Sequence, residues 1–385
     1  MKIGIDARFL THPQAGGFKT YSENLILGLA AIDQANEYVL YLDRLPDQQT
    51  RLPDRPNFVY RVVPGLMPVV GMPWREQVGL ARQIAQDQLT LFHAPNLTAP
   101  LRLACPLVLT IHDTIWLFPK KFAQRKAWST QRKLMEWYYR WVPHFAARHA
   151  ALILTVSQAA KASIVEHLGL ATERIFVTPE AANQIYRPIR EQRQLEAIRS
   201  KYQLTGDFIL TIGSADPRKN LTTLVQAYAL LPLPLRTQYR LVIVWTHDFL
   251  AAELSEQIAQ FGLTDQVQFV RRVSNEDLVM LYNASALFVF PSRYEGFGLP
   301  PLEAMACGTP VVAANNSSIP EIVGDAAFLT DAEDGQAMAA VMAQVLADKN
   351  VQTTLAQKGL KRAANFSWEN CARQTLVGYQ QAVLA

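Results

Sequence analysis

The sequence predicts an α/β protein with mostly parallel sheets in two domains, on three observations. Short apolar runs alternate with helical patterns along nearly the whole chain, as helices layered on parallel sheets require. Many of those runs end in glycine or polar residues, where a strand leaves its sheet. The length of 385 residues, at about 150 residues per domain, suggests two domains.

In chain order, Lys2–Arg8 reads as the first strand, Thr11 to Gly17 as a loop, and about Thr20 to Ile32 as a helix. Strands Tyr38–Asp43 and Phe58–Val63 follow, then a helix near Trp74–Asp87 and strands Leu89–His93, Leu107–His112, Leu152–Val156 and Ile175–Pro179. The stretch Glu180 to Ile189 is the expected boundary, giving a first domain of residues 1–183 and a second of 184–367. In the second, Phe208–Ser214, Leu241–Trp245, Val267–Val270, Ala286–Phe290, Pro310–Ala314 and Ala327–Leu329 read as strands. Helical patterns occupy Leu221–Leu231, Leu250–Phe261, Asn275–Asn283, Gly335–Ala347 and Val351–Ala364, and Ser367 is a good N-cap for a terminal helix.

Composition narrows the class. Half of the residues are hydrophobic, so a large core can form, and a net charge of +4 does not imply nucleic acid. Three scattered cysteines, Cys105, Cys307 and Cys371, make neither a disulfide framework nor a zinc cluster. The N-terminus enters a strand at once without the shape of a secretory signal, and no apolar run reaches the ~18 residues that span a membrane. The expectation is a cytosolic protein, free or at a membrane surface. Residues 119–150 are basic and aromatic, with Trp128, Trp137, Tyr138, Tyr139 and Trp141 among eight cations; they suit an anionic membrane surface or acceptor, or equally a solvated helix face whose aromatics pack inward.

The chemistry centres on Ala286 to Asp325, which reads as strand, glycine-containing loop, short helix and strand. Pro300 and Pro301 can open that helix and Gly308 can close it. Such a unit sets a loop and a helix N-terminus at the carboxyl end of a parallel sheet, where open α/β sheets bind ligands. Glu295 in the loop and Glu303 on the helix can face one site, or else be a solvated loop residue and a surface helix position. Arg218 and Lys219, between the glycine turn at Gly213 and the next helix, make a credible phosphate clamp, although such pairs are also common in plain turns. Gly16 and Gly17, after the first strand, permit the same anion approach, with a plain turn as the alternative. His112 at a strand end can orient a hydroxyl or sugar ring, or be structural. There is no three-glycine dinucleotide fingerprint, P-loop, nucleophile elbow or metal-ligand spacing. A diphosphate-linked ligand fits these parts.

With these residues in hand, the chain resembles the retaining, sugar-nucleotide-dependent family 4 glycosyltransferases (glycosyl transferases group 1), whose GT-B fold has two Rossmann-like domains facing each other across a cleft. Glu295-Gly-Phe-Gly-Leu-Pro-Pro-Leu-Glu303 matches the signature of two glutamates separated by seven residues. Phe290-Pro-Ser292, Ala304 to Val312, Pro320 to Asp325, Gly213 with Arg218-Lys-Asn220, Thr110 to Asp113, Thr155-Val-Ser157 and Phe366-Ser-Trp368 extend the match. The resemblance implies a first domain that binds acceptor, a second that binds the nucleotide sugar, and a terminal helix, 368–385, that crosses back onto the first. It implies that Glu303 holds the ribose, that Arg218 and Lys219 hold the diphosphate and stabilise it as leaving group, and that Glu295 with the backbone of Gly296, Phe297, Gly298 and Leu299 contacts the donor sugar. Gly17 would close over the diphosphate and His112 would lie beside the transferred sugar. No metal cofactor is implied.

Two departures stand out. Gly16-Gly-Phe-Lys-Thr20 lacks the third glycine and arginine common in the family, and Thr178-Pro-Glu-Ala-Ala182 replaces a frequent Pro-Asn-Gly. A similar Pro-Glu-Ala occurs in bacterial mannosyltransferase-like members, which favours GDP-mannose over UDP-glucose as donor. The expectation is a hexosyltransferase acting on a glycan, polysaccharide or lipid-linked acceptor. The alternatives are a sugar-nucleotide epimerase of the same fold and a non-catalytic nucleotide-sugar-binding protein.

Overall fold

Two fully parallel sheets organise the chain, and each has its strand order reversed once. The computed structural model describes residues 1–12, 16–48, 50–65, 71–118, 130–246 and 252–384, apart from the side chains of 130–134 and 136. Among the described residues, 1–180 and 367–384 form one unit and 181–366 the other.

In the first unit, β1 (Lys2–Asp6) leads to α1 (Gly17–Ile32), then β2 (Glu37–Leu42) and β3 (Phe58–Val62). After α2 (Ala81–Asp87) come β4 (Leu91–Ala94), β5 (Leu107–Thr110), α3 (Thr130–His149), β6 (Leu152–Thr155), α4 (Gln158–Leu168) and β7 (Ile175–Val177). The sheet order is β3-β2-β1-β4-β5-β6-β7, so the reversal falls between β1 and β4. Four-residue strands such as β4, β5 and β6 are buried at every position, which is why they read as unbroken apolar runs.

Several expected boundaries move by a few residues; for instance, the strand expected over Leu107–His112 ends at Thr110 and that over Ile175–Pro179 at Val177. The first strand stops at Asp6, and Arg8 begins a short helix, Arg8–Thr11, whose arginine is drawn into a buried ion-pair network. The second helix starts at Gly17 instead of Thr20, with no side-chain cap. The expected helix near Trp74–Asp87 is in three pieces: Gly71–Trp74, a π-helical stretch Arg75–Leu80, and α2. Part of the Thr11–Gly17 loop, the start of the expected Leu250–Phe261 helix and residues 119–129 of the basic region lie outside the described residues.

The second unit runs α5 (Gln192–Lys201), β8 (Asp207–Gly213), α6 (Leu221–Ala229), β9 (Tyr239–Trp245), α7 (Ala252–Gln260), β10 (Val267–Arg271), α8 (Asn275–Ala284) and β11 (Leu287–Phe290). Then follow α9 (Leu299–Ala306), β12 (Val311–Ala314), β13 (Phe328–Thr330), α10 (Gly335–Ala347) and α11 (Lys349–Ala363). The order β10-β9-β8-β11-β12-β13 reverses between β8 and β11. Period-two alternation divides its core into two layers. Ile209, Leu241 and Ile243 pack under α6 and α10, while Phe208, Leu210, Val242 and Val244 pack under α8 and α9.

The last helix, α12 (Trp368–Leu384), belongs to the first unit. Ser367 Oγ accepts from Asn370 N at 3.1 Å and caps it. It lies against α1 so closely that a Cβ on Gly28 would stand 2.8 Å from the Trp368 carbonyl oxygen. Among the described residues no helix is long and apolar enough to cross a membrane.

Candidate active site

The carboxyl ends of β8 and β11, flanking the order reversal, bring most of the expected donor-side residues together. Beyond β8, Asp216 caps a short turn, Pro217–Lys219, and its carboxylate also holds Arg218: Nη2 lies 2.7 Å and Nε 2.9 Å from Oδ2. Beyond β11, the loop leading to α9 is tied to that turn through backbone. Arg293 N donates to Arg218 O at 2.7 Å, and Asn220 Nδ2 donates to Pro291 O at 3.0 Å. Asn220 itself is left-handed, with φ of 52°, which lets the turn end and α6 begin within one residue.

On this frame Lys219 Nζ donates to Glu295 Oε1 at 2.7 Å, while Ser292 Oγ donates to the same oxygen at 2.6 Å. Lys219 also stands 5.3 Å from the centre of the Phe290 ring. The two side chains are 22% and 15% exposed, partly dried yet reachable. Glu295 is fixed from behind as well: its N–H donates to Ser317 Oγ at 3.0 Å, and Ser318 Oγ donates to its carbonyl at 3.0 Å. The cation and carboxylate singled out from different stretches of sequence therefore form one ion pair.

Gly298, at φ of 110°, opens α9 in a conformation only glycine adopts readily, and a Cβ there would meet Ile319 Cδ1 at 2.7 Å. Phe297 is buried against Phe366, so the loop can offer a ligand its backbone but not this ring. Glu303 is no surface position, because it is only 8% exposed, and Tyr282 Oη donates to its Oε2 at 3.2 Å. Burial and the Glu303 charge hold the phenols of Tyr282 and Tyr186 protonated well above their ordinary range. Gly213 has a packing reason of its own: a Cβ would sit 2.4 Å from Leu221 Cδ1, where α6 comes down on the strand end.

The remaining expected residues lie in the first unit. His112 follows β5, with Nδ1 3.1 Å from Glu180 Oε1 and Nε2 3.4 Å from Pro95 O. Phe18, beside Gly17, meets the His112 ring edge-on at 5.1 Å, so the glycine loop and the histidine adjoin. Among the described residues, a Cβ on Gly16 or Gly17 would meet nothing within 4 Å, so no described neighbour requires these glycines by packing.

Sequence reasoning missed a buried network at the reversal point of the first sheet. Arg8 Nη2 lies 2.7 Å from Glu76 Oε2, its Nε 2.9 Å from Asp6 Oδ2, and Arg75 Nη2 3.0 Å from Asp6 Oδ1. Thr98 Oγ1, Tyr138 Oη and Gln77 Nε2 also donate to Glu76. Burial works against the Arg8 charge, but Asp6 and Glu76 outweigh it and raise the guanidinium above its ordinary value. Arg75 and Glu76 sit on the π-helical turn, an irregularity often found near functional sites. The other missed feature is a neutral histidine. His93, between Tyr379 Oη and Thr110 Oγ1 at 2.7 Å each, is pushed down to about 3 by burial and by the nearby His112.

Residues 15–183 match the family described as Glycosyltransferase Family 4, and residues 194–362 match Glycosyl transferases group 1. An O-antigen chain mannosyltransferase B of Escherichia coli is 32% identical, over 99% of this chain and 100% of its own length. The chain belongs to glycosyltransferase family 4. As a family 4 glycosyltransferase it is also 32% identical, over 71% of its length, to the serotype-specific mannosyltransferase WbdA of Escherichia coli, of which the match spans only 33%. The structure of a sucrose-phosphate synthase from Thermosynechococcus elongatus superimposes with a TM-score of 0.74 at 22% identity, covering 99% of this chain and 98% of that one, and the fold is GT-B. The enzyme is a glycosyltransferase. Among its described residues, no three His, Cys, Asp or Glu side chains gather as metal ligands would.

Proposed function

We propose that this glycosyltransferase is a retaining mannosyltransferase that takes mannose from GDP-mannose, without a metal, and adds it to a glycan, polysaccharide or lipid-linked acceptor. The Lys219–Glu295 pair beside Arg218, at the reversal point of the second sheet, is the observation that carries the reading. It offers a cation for a diphosphate oxygen and a carboxylate for sugar hydroxyls within one hydrogen bond of each other. Arg218 and Lys219 would take up the negative charge that develops on the departing diphosphate, where electrostatic stabilisation counts most. Glu303 would hold ribose hydroxyls, and Gly16, Gly17 and His112 would serve the diphosphate and the transferred sugar. The names of the Escherichia coli relatives support mannose and a polysaccharide acceptor.

The first test is a thermal-shift panel of nucleotide sugars followed by turnover. GDP-mannose at 100 times its Kd should stabilise the fold by about 2.7 kcal/mol. Slow hydrolysis of GDP-mannose should persist in EDTA, and the α-anomer of the product should appear first in NMR. Preference for UDP-glucose would overturn the donor assignment. Stabilisation without hydrolysis or transfer would favour a binding protein, and conversion of the donor sugar without transfer an epimerase.

A membrane-surface partner is part of the same proposal. Trp137, Trp141 and Phe145 recur every fourth residue of α3 and are 60%, 42% and 47% exposed, so these aromatics do not pack inward, and exposed Arg140 and Arg148 lie on the same helix. Binding to vesicles should rise with anionic lipid, and equal binding to neutral vesicles would count against it.

A further inference from the structure

Glu180 replaces the asparagine of a common family pattern, and it reaches a residue 68 positions earlier in the chain. His112 leaves the end of β5 and Glu180 the end of β7, with β6 between them in the sheet. Thr155 at the end of β6 braces both sides. Its hydroxyl donates to Ile111 O at 2.7 Å, and its carbonyl accepts from Thr178 N at 2.7 Å. Thr155 and Thr178 are entirely buried. The backbones next to His112 and Glu180 are therefore fixed before the two side chains meet.

The side chains are fixed as well. The His112 ring lies edge-on to Tyr21 at 4.5 Å and to Phe18 at 5.1 Å, which sets its plane. Glu180 is 5% exposed, and a carboxyl group so buried is costly unless something pairs with it. Its Oε1 faces Nδ1 of the ring at 3.1 Å. A carboxylate oxygen accepts hydrogen bonds, so this contact calls for a proton on Nδ1. The other nitrogen, Nε2, lies 3.4 Å from Pro95 O, a longer contact to a second oxygen that can only accept.

We propose that Glu180 is a positioning residue for His112. It holds the ring with Nδ1–H turned to its own carboxylate. The inference rests on the reading that His112 lies beside the transferred sugar. Glu180 itself touches no substrate and acts only through the ring. The geometry assigns this role to the Pro-Glu-Ala stretch whatever sugar the enzyme prefers.

The test uses the full-length protein and three variants: Glu180→Gln, which keeps size and an accepting oxygen, Glu180→Ala and His112→Ala. In 15N-histidine-labelled protein, long-range 1H–15N spectra should show His112 protonated at Nδ1, with His112→Ala providing the assignment. Glu180→Gln should keep that signature, and Glu180→Ala should lose it. With GDP-mannose as donor, Glu180→Ala should lower kcat roughly tenfold, about 1.4 kcal/mol at the transition state, with KM for the donor nearly unchanged. Glu180→Gln should recover part of the loss. In the His112→Ala background, Glu180→Ala should have no further effect on kcat. Losses that simply add, or an unchanged His112 signature in Glu180→Ala, would overturn the positioning role. If Glu180→Ala does not fold, Glu180→Gln in the same double-mutant comparison decides between coupled and additive losses. His112→Ala with wild-type kcat would show instead that the reading of His112 itself is wrong, and would overturn the inference with it.

Discussion

Replacing Lys219 with methionine separates what its ammonium does for the fold from what it does for the donor. The stem is retained and the charge removed. In the fold, Lys219 contributes one ion pair of 2.7 Å to Glu295, with side chains 22% and 15% exposed, and an approach to the Phe290 ring. Solvent screens a pair of this kind, so its loss should cost about 1 kcal/mol or less. Glu295 would not be stranded, because Ser292 Oγ still donates to the same oxygen at 2.6 Å. For a domain of this size, that cost lowers the melting temperature by about 2–4 °C. The cost in donor binding should be larger. A charge-assisted hydrogen bond to a phosphate oxygen contributes about 1.5–3 kcal/mol, so affinity should fall roughly 10- to 150-fold. Titration calorimetry with GDP and GDP-mannose, paired with melting of the ligand-free protein, reads the two quantities separately. A Lys219→Met protein that binds both ligands within about twofold of wild type, yet melts far lower, would refute the clamp and make Lys219 a structural strut.

Two other expectations follow from the same geometry. Gly213→Ala should destabilise the protein by about 1–3 kcal/mol in urea unfolding, because the new methyl would sit 2.4 Å from Leu221 Cδ1, and Leu221→Ala should remove most of the penalty; normal stability with weakened donor binding would show that the glycine serves the ligand instead. His93 should give the fold an acid limit. Its folded value, about 3, lies below the ordinary 6.5, so its contribution is complete above pH 6.5 and falls as pH drops towards 3, by up to roughly 1.4 kcal/mol per pH unit; His93→Gln should flatten that part of the stability curve, and an unchanged slope would mean another group sets it.

Both sheets are legible in the sequence because their strands are buried on two faces and read as unbroken apolar runs, and the carboxyl-end location of the site follows from the α/β class. What escapes is long-range or irregular. Nothing local marks Arg75 and Glu76 as buried, since a π-helical turn shifts side chains off the 3.6-residue face that a helical pattern assumes. Arg8 reads as the end of a strand because its partner Glu76 lies 68 residues away. Glu303 is ambiguous for a different reason: α9 has eight residues, too few turns for a period to distinguish its inner from its outer face. Lys219 and Glu295 each stand out within their own stretch, but their direct contact follows from the adjacency of β8 and β11, which sequence order does not reveal.

That contact alters how the donor side discriminates in the proposed reading. Arg218 and Lys219 each already face a carboxylate at 2.7 Å, Asp216 and Glu295, so the four groups sum to no net charge. These four groups therefore add little long-range attraction for an anion, and in this reading their selection acts at hydrogen-bond distance. An ammonium has three donors, so Lys219 can keep Glu295 and still meet a phosphate oxygen. Glu295 cannot do the same for an anion, because it only accepts, and a bare pyrophosphate would approach it against repulsion. A sugar diphosphate resolves both demands: its phosphate oxygens accept from Lys219, and its sugar hydroxyls donate to Glu295. In the proposed reading the ion pair thus favours the sugar-linked diphosphate over the free one. It also couples the two halves of the donor, since a sugar whose hydroxyls miss Glu295 would leave that carboxylate facing the phosphate without compensation.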